Sequence, residues 1–208
     1  MTPPGLASGG LDPQAFAPIL AGALDAGDVA SLLLRLPGAS DDVVRRAADL
    51  LRPIAQDRDV AFLLNDRPDL AVETGADGVH LEDERANLTA ARRLLGPDSI
   101  VGAAGDLERH RAMVAAERGA DYIAFGRFDG PEEPAPEDDA ALAELIGWWS
   151  ELMTVPSVAL GAFTPASCES IVRVGADFLT VGSGVWDHPD GPAAGVRAFL
   201  AAIDAAQR

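Results

Sequence analysis

The chain has 208 residues, 48 % of them hydrophobic, and a formal net charge of −17. That length fits one ordinary domain or one barrel, and the apolar content is enough for a sizeable buried core. The acidic balance argues against nucleic acid and anionic membrane surfaces, both of which need a basic face. A small phosphorylated ligand stays compatible with it, because backbone N–H groups bind phosphate without a basic patch.

The opening "MTPPGLASGG" has neither a basic region nor an apolar block, so it does not read as a signal peptide. No later stretch approaches the roughly 18 to 20 uncharged apolar residues that span a bilayer. A helix is predicted over 12–26, followed by an apolar run at 29–36. Further short apolar runs follow at 60–64, 78–81, 100–104, 121–126, 156–161 and 178–183. Amphipathic segments separate them at 41–56, 66–74, 86–95, 106–118, 137–153, 165–174 and 192–206. Short continuous apolar runs read as strands buried on both faces, and their alternation with helices means a parallel sheet.

One phrase recurs along this pattern. "TGADGVHL", "RGADYIAFG" and "VGADFLTVGS" each place Gly-Ala-Asp before an apolar run, with a weaker copy in "AGDVASLLLRL". Each Gly follows a helical segment and reads as its C-cap, since glycine accepts the left-handed conformation without a Cβ clash. The phrase is helix end, tight turn, buried strand. Asp28, Asp77, Asp121 and Asp177 recur roughly every fifty residues, room for two strand–helix units each. Four such pairs predict a (β/α)8 TIM barrel over the whole of 1–208, with an open doubly wound sheet as the alternative. Seven strands are visible, and the one expected before the helix at 12–26 is short or missing.

Barrel chemistry sits on the residues that follow the strands. Arg35, Asn65, Asp66, His80, Arg127, Gly161, Ala162, Gly182 and Ser183 occupy such positions. "LGAFTPAS" and "VGSGVWD" are small-residue turns where backbone N–H groups bind a phosphate, or where Gly182 and Gly184 simply permit a tight turn. Asn65 and Asp66 suit a metal or a diphosphate held through one; they also suit the N-cap of the helix that Pro68 begins. His80 ends an apolar strand and reads as a packed core residue or as part of a substrate pocket. His110 and His188 share no metal-ligand spacing with it. Neither a G-x-S-x-G, a Walker loop nor a G-x-G-x-x-G after a strand is present. Trp148 and Trp149 read as helix-on-barrel packing, and "DGPEEPAPEDD" (129–139) as a solvated loop. The single Cys168 excludes an internal disulfide and Cys-rich zinc sites, and fits a reducing cytoplasm.

The run "NDRPDLAVETGADGVHL", with the later "GADY", resembles the thiamine-phosphate synthase and TenI-like superfamily from about residue 12 to 206. That resemblance implies coupling of a pyrimidine pyrophosphate to a thiazole phosphate, with magnesium, and release of pyrophosphate. It implies thiamine precursors as partners, and is compatible with a homo-oligomer. By position, Arg35 matches a pyrophosphate-gripping arginine whose flanking Gln and Lys are absent. Asn65 and Asp66 match the pair after the third strand. The second metal carboxylate falls at Arg85, so Asp83 or Glu84 would have to substitute beside Asp66. The family serine is Ala104, and the T-x-T-K loop is Pro131-Glu132-Glu133-Pro134. The tautomerase histidine is Arg127, which stays protonated and cannot act as a base. The expected function is therefore a divergent thiamine-phosphate synthase with weak or lost activity. The alternatives are a non-catalytic paralogue that holds a precursor phosphate, and a barrel enzyme acting on another small phosphorylated substrate.

Overall fold

The computed structural model describes residues 1–6, 10–82, 88–128 and 136–208, leaving aside the side chains of 136–138. Its strands are β1 (Ser31–Leu34), β2 (Ala61–Asn65), β3 (Gly78–Leu81), β4 (Ile100–Asp106), β5 (Tyr122–Gly126), β6 (Ser157–Leu160) and β7 (Phe178–Thr180). The helices are α1 (Pro13–Leu24), α2 (Asp41–Gln56), α3 (Pro68–Thr74), α4 (Leu88–Leu95), α5 (Arg109–Glu117), α6 (Pro136–Leu152), α7 (Cys168–Arg173), α8 (Ser183–Trp186) and α9 (Pro192–Ala206). All seven strands are parallel, in the order β1 to β7. A doubly wound sheet reverses its order at a switch point. The unbroken order here is that of a curled (β/α) barrel sheet.

Side chains alternate along the strands. Leu34, Phe62, Leu64, Val79 and Phe125 turn outward and are buried with the helices in one apolar cluster. Residues such as Leu33, Leu63, Tyr122 and Val158 line an interior cavity of about 480 Å³. On α2, Val44, Ala47, Ala48, Leu51 and Ala55 recur at helical spacing and all face the core. Trp149 is fully buried edge-on to Phe125, and its indole N–H donates to the Val155 carbonyl at 2.7 Å. This is the packing that the tryptophan pair predicts.

The recurring phrase has a structural reason at both its ends. Gly75, Gly119 and Gly175 all have positive φ, as a helix-ending turn requires. Each aspartate then accepts from the start of the preceding strand. Asp77 takes the Phe62 N–H (2.7 Å), Asp121 that of Val101 (2.7 Å), and Asp177 that of Ser157 (2.8 Å). The carboxylate thereby satisfies a backbone donor at the closed end of the sheet and pins two neighbouring strands.

Among the described residues no strand precedes α1; an isolated bridge joins Leu6 to Leu11. β1 and β7 are the two edges of the sheet, and Met1 and Thr2 join them at one end only. The Met1 amine donates to the Val181 carbonyl (3.2 Å), and the Thr2 N–H to the Leu33 carbonyl (2.9 Å). Burial lowers the pKa of that amine to about 6. Several boundaries differ from the sequence expectation: the strand within 29–36 covers only Ser31–Leu34, β4 runs on to Asp106, and the helix expected over 165–174 is Cys168–Arg173. The apolar run at 178–183 pairs only to Thr180, because the chain turns at Gly182 into the four-residue α8.

Candidate active site at the open end of the sheet

The residues that follow β1 to β4 are wired together by their own side chains. Arg35, just beyond β1, is clamped through its backbone: its N–H donates to the Thr2 hydroxyl at 3.1 Å. Its guanidinium meets the Glu82 carboxylate in a two-point fork, Nε to Oε1 at 2.6 Å and Nη2 to Oε2 at 3.3 Å. The same guanidinium lies 4.9 Å from the centre of the Phe128 ring. Glu82 ties in the end of β2 and helix α5 through its backbone. Its N–H donates to Asp66 Oδ1 (2.8 Å), and its carbonyl accepts from Arg111 Nη2 (2.9 Å). Arg111, reaching over from α5, also pairs with Asp106 at the end of β4.

Asp66 and Asp106 both have positive φ, 54° and 49°. Left-handed backbone is uncommon outside glycine, and its clustering at strand ends is typical of functional sites. At Asp106 it coincides with a register shift between β4 and β5. Asp66 is not the helix cap that its position before α3 suggests. The N-cap of α3 is Arg67, without a side-chain cap bond. The Asp66 carboxylate instead accepts from the Glu82 N–H and from Asn65 Nδ2 (2.8 Å).

Beneath this ring lies a polar rung inside the barrel. Asn65, His80, Gly102 and Tyr122 are register partners on four adjacent strands. A Cβ at Gly102 would stand 1.9 Å from the Tyr122 ring, so glycine is what lets the tyrosine lie across the rung. The phenol then reaches His80 Nδ1 at 3.0 Å. Phe128 packs edge-on against the imidazole. His80 is 1 % exposed, and burial lowers its pKa to about 4, so the ring is neutral at pH 7. Burial raises the pKa of Tyr122, which keeps its proton. Among the described residues, two buried atoms of this rung have no hydrogen-bond partner: Asn65 Oδ1 and His80 Nε2. Native structures leave few such atoms unpaired, and a ligand or water is the usual remedy.

The other half of the mouth is built differently. Gly161, Ala162 and Ser183 are exposed, and Gly182 is half-buried ahead of α8. Among the described residues, none of the loop hydrogen bonds uses the N–H of Gly161, Ala162, Gly182 or Ser183. Gly184 is glycine for packing, since a Cβ there would stand 2.5 Å from the Phe163 carbonyl oxygen. Arg127 is exposed after β5. Asp83, Glu84, Arg85 and the segment 129–135 lie outside the described residues.

The sequence singled out Arg35, Asn65, Asp66 and His80, and the fold brings these four to neighbouring strand ends. It placed Glu82 and Asp106 at strand ends without giving them a role, and missed Arg111, Tyr122 and Phe128. For Glu82, the signal was there: a carboxylate two residues after His80, at the end of an apolar strand.

Fold and mouth together define a parallel (β/α) barrel that gathers its polar groups at the ends of its strands. The chain belongs to the thiamine monophosphate synthase family, whose match covers residues 6–185. It is 53 % identical over 201 residues to the thiamine-phosphate synthase of Rhodospirillum centenum, spanning 96 % of this chain and 93 % of that protein. To the thiamine-phosphate synthase of Hyphomonas neptunium it is 44 % identical, spanning 98 % of this chain and 92 % of that protein. Among solved structures, the thiamine phosphate pyrophosphorylase from Pyrococcus furiosus superposes with a TM-score of 0.77 at 23 % identity, covering 92 % of this chain and 91 % of that one. Among the described residues, no helix is long and apolar enough to cross a membrane.

Proposed function

We propose that this protein is a thiamine-phosphate synthase. It would couple a pyrimidine carrying a methylene diphosphate to a thiazole phosphate. The carbon–oxygen bond to the diphosphate breaks with its electron pair leaving on pyrophosphate, and the thiazole ring nitrogen forms the new carbon–nitrogen bond. The observation that carries the reading is the pair of unpartnered buried atoms, Asn65 Oδ1 and His80 Nε2, side by side beneath Arg35 and Asp66. One accepts a hydrogen bond from an amino group. The other, with Tyr122 donating to Nδ1, carries a proton toward a ring nitrogen. An aminopyrimidine presents that complement, and its diphosphate would then point toward Arg35.

Charge separation in such a reaction is handled by fixed dipoles and cations rather than by a nucleophile. Arg35 would receive the leaving diphosphate, and the backbone turns at Gly161–Ala162 and Gly182–Ser183 the phosphate of the thiazole. Phe128 and the neutral His80 ring would border the reacting carbon and exclude water. Magnesium suits the donor set, because it leans on one or two carboxylates plus substrate phosphates. Asp66 is the described residue that would hold it, and Asp83 the second. Bound there, magnesium would offset charge developing on the pyrophosphate. Among the described residues no group of three acidic, histidine or cysteine side chains forms a cage, so the substrate's own oxygens would complete the shell.

An arginine already engaged by Glu82 predicts weak capture of the diphosphate, and hence a slow enzyme at low substrate. The test is complementation of a thiamine-requiring strain that lacks its synthase. Growth without thiamine supports the reading. Failure to grow while the folded protein accumulates contradicts it, and favours a paralogue that only holds a precursor phosphate.

A further inference from the structure

We infer that Glu82 is an internal counter-anion occupying the diphosphate seat of Arg35, and that it sets the affinity of this mouth for phosphoanions. The inference rests on the reading above only in taking Arg35 as an anion seat. The geometry is that of an arginine bound to a ligand carboxylate. Nε and Nη2 face the two oxygens of one carboxylate, at 2.6 and 3.3 Å. The same fork matches two oxygens of a phosphate or diphosphate, so the two anions compete for one set of donors.

The surroundings make this a switch between partners rather than a fixed strut. The Arg35 side chain is 12 % exposed and held from below by Phe128 and from its own backbone by Thr2. Glu82 is 29 % exposed, so its carboxylate has solvent to turn into when the arginine is taken. Its structural duties lie on its backbone: the N–H to Asp66 and the carbonyl to Arg111. Those bonds survive a change of side chain. A diphosphate that takes Arg35 must leave Glu82 facing an anion, and the like-charge contact drives the carboxylate outward. Glu82 therefore raises the threshold for any phosphoanion, and favours those with enough charge to displace it. Inorganic pyrophosphate should gain more from its removal than inorganic phosphate.

The experiment is titration of the whole protein with inorganic pyrophosphate, with a chelator present so that no metal contributes. Glu82→Gln keeps the shape and removes the charge. It should tighten pyrophosphate binding about fivefold or more, near 1 kcal/mol, and Arg35→Ala added to it should abolish the gain. Unchanged, weaker or absent pyrophosphate binding in the Glu82→Gln protein would overturn the inference and leave Glu82 as a prop for Arg35. Should that variant fold poorly, the unaltered protein gives the answer by NMR. Pyrophosphate should shift the Glu82 side-chain carboxyl carbon and the Arg35 Nε–H together. Pyrophosphate binding that leaves both unmoved would overturn it. None of these readouts involves turnover, so a failure here is distinct from a failure of the synthase reading.

Discussion

The two halves of the barrel mouth are built on different principles. Around β1 to β4, Arg35, Glu82, Asp66, Asp106 and Arg111 form one chain of ion pairs and hydrogen bonds, with two residues in left-handed backbone to make it close. Around β6 and β7 the strand ends carry small residues, with Gly161, Ala162 and Ser183 exposed and no charged side chain among them. The first half is organised by side chains whose charges already oppose one another. The second needs only conformational freedom and a short helix start. A single substitution should therefore matter far more in the first half than in the second.

The largest effect is expected at Asp66. Asp66→Ala removes the carboxylate that anchors both Asn65 and the Glu82 N–H and that would hold magnesium. Steady-state kinetics should show kcat lowered about 100- to 1000-fold, the range for losing one fixed electrostatic group. A loss under tenfold would break the contrast between the halves.

Next in size is the acid sensitivity of the polar rung. His80 is neutral in the fold with a pKa of about 4, against about 6.5 in the unfolded chain. Between these values the unfolded state binds the extra proton, so the stabilising difference is full above pH 6.5 and is lost as pH falls toward 4. Over that window the protein should lose about 3 kcal/mol more than a His80→Gln variant, read from denaturant unfolding at each pH. Parallel curves for the two proteins would show that His80 is not held neutral.

Gly102→Ala tests the same rung by shape. Its Cβ would meet the Tyr122 ring at 1.9 Å, and displacing that ring breaks the contact to His80. Overpacking of this kind costs about 1–3 kcal/mol. Chemical denaturation measures it, and an unchanged midpoint would contradict the packing described here. The smallest effect belongs to the backbone half. Ser183→Ala should change KM for the thiazole phosphate by no more than about tenfold, since a neutral side-chain hydrogen bond contributes about 0.5–1.5 kcal/mol.

How much of this was legible beforehand follows the same divide. The strands announced themselves as short apolar runs, and β3, β4, β5 and β7 each stand behind a positive-φ glycine, as at Gly119 before Tyr122. The sequence also showed that the first strand is short or missing, and among the described residues none precedes α1. What the sequence did not disclose is contact across elements. Nothing in "HLED" says that Glu82 will meet Arg35, 47 positions earlier, or that Arg111 on α5 will lean back over the mouth. The strain at Asp66 was invisible as well: a residue between Asn65 and a proline-started helix reads as a cap, and only the fold turns its carboxylate to β3. The aspartates of the repeated phrase marked the period, yet their hydrogen bonds to the preceding strand required the register.

One measurement bears on the synthase reading most directly. Purified protein is incubated with the pyrimidine diphosphate, the thiazole phosphate and magnesium, and thiamine phosphate is followed by chromatography. The account predicts product that requires both substrates, with a KM for the diphosphate that falls in the Glu82→Gln protein. Folded protein that binds the thiazole phosphate yet forms no thiamine phosphate at any diphosphate concentration would contradict it.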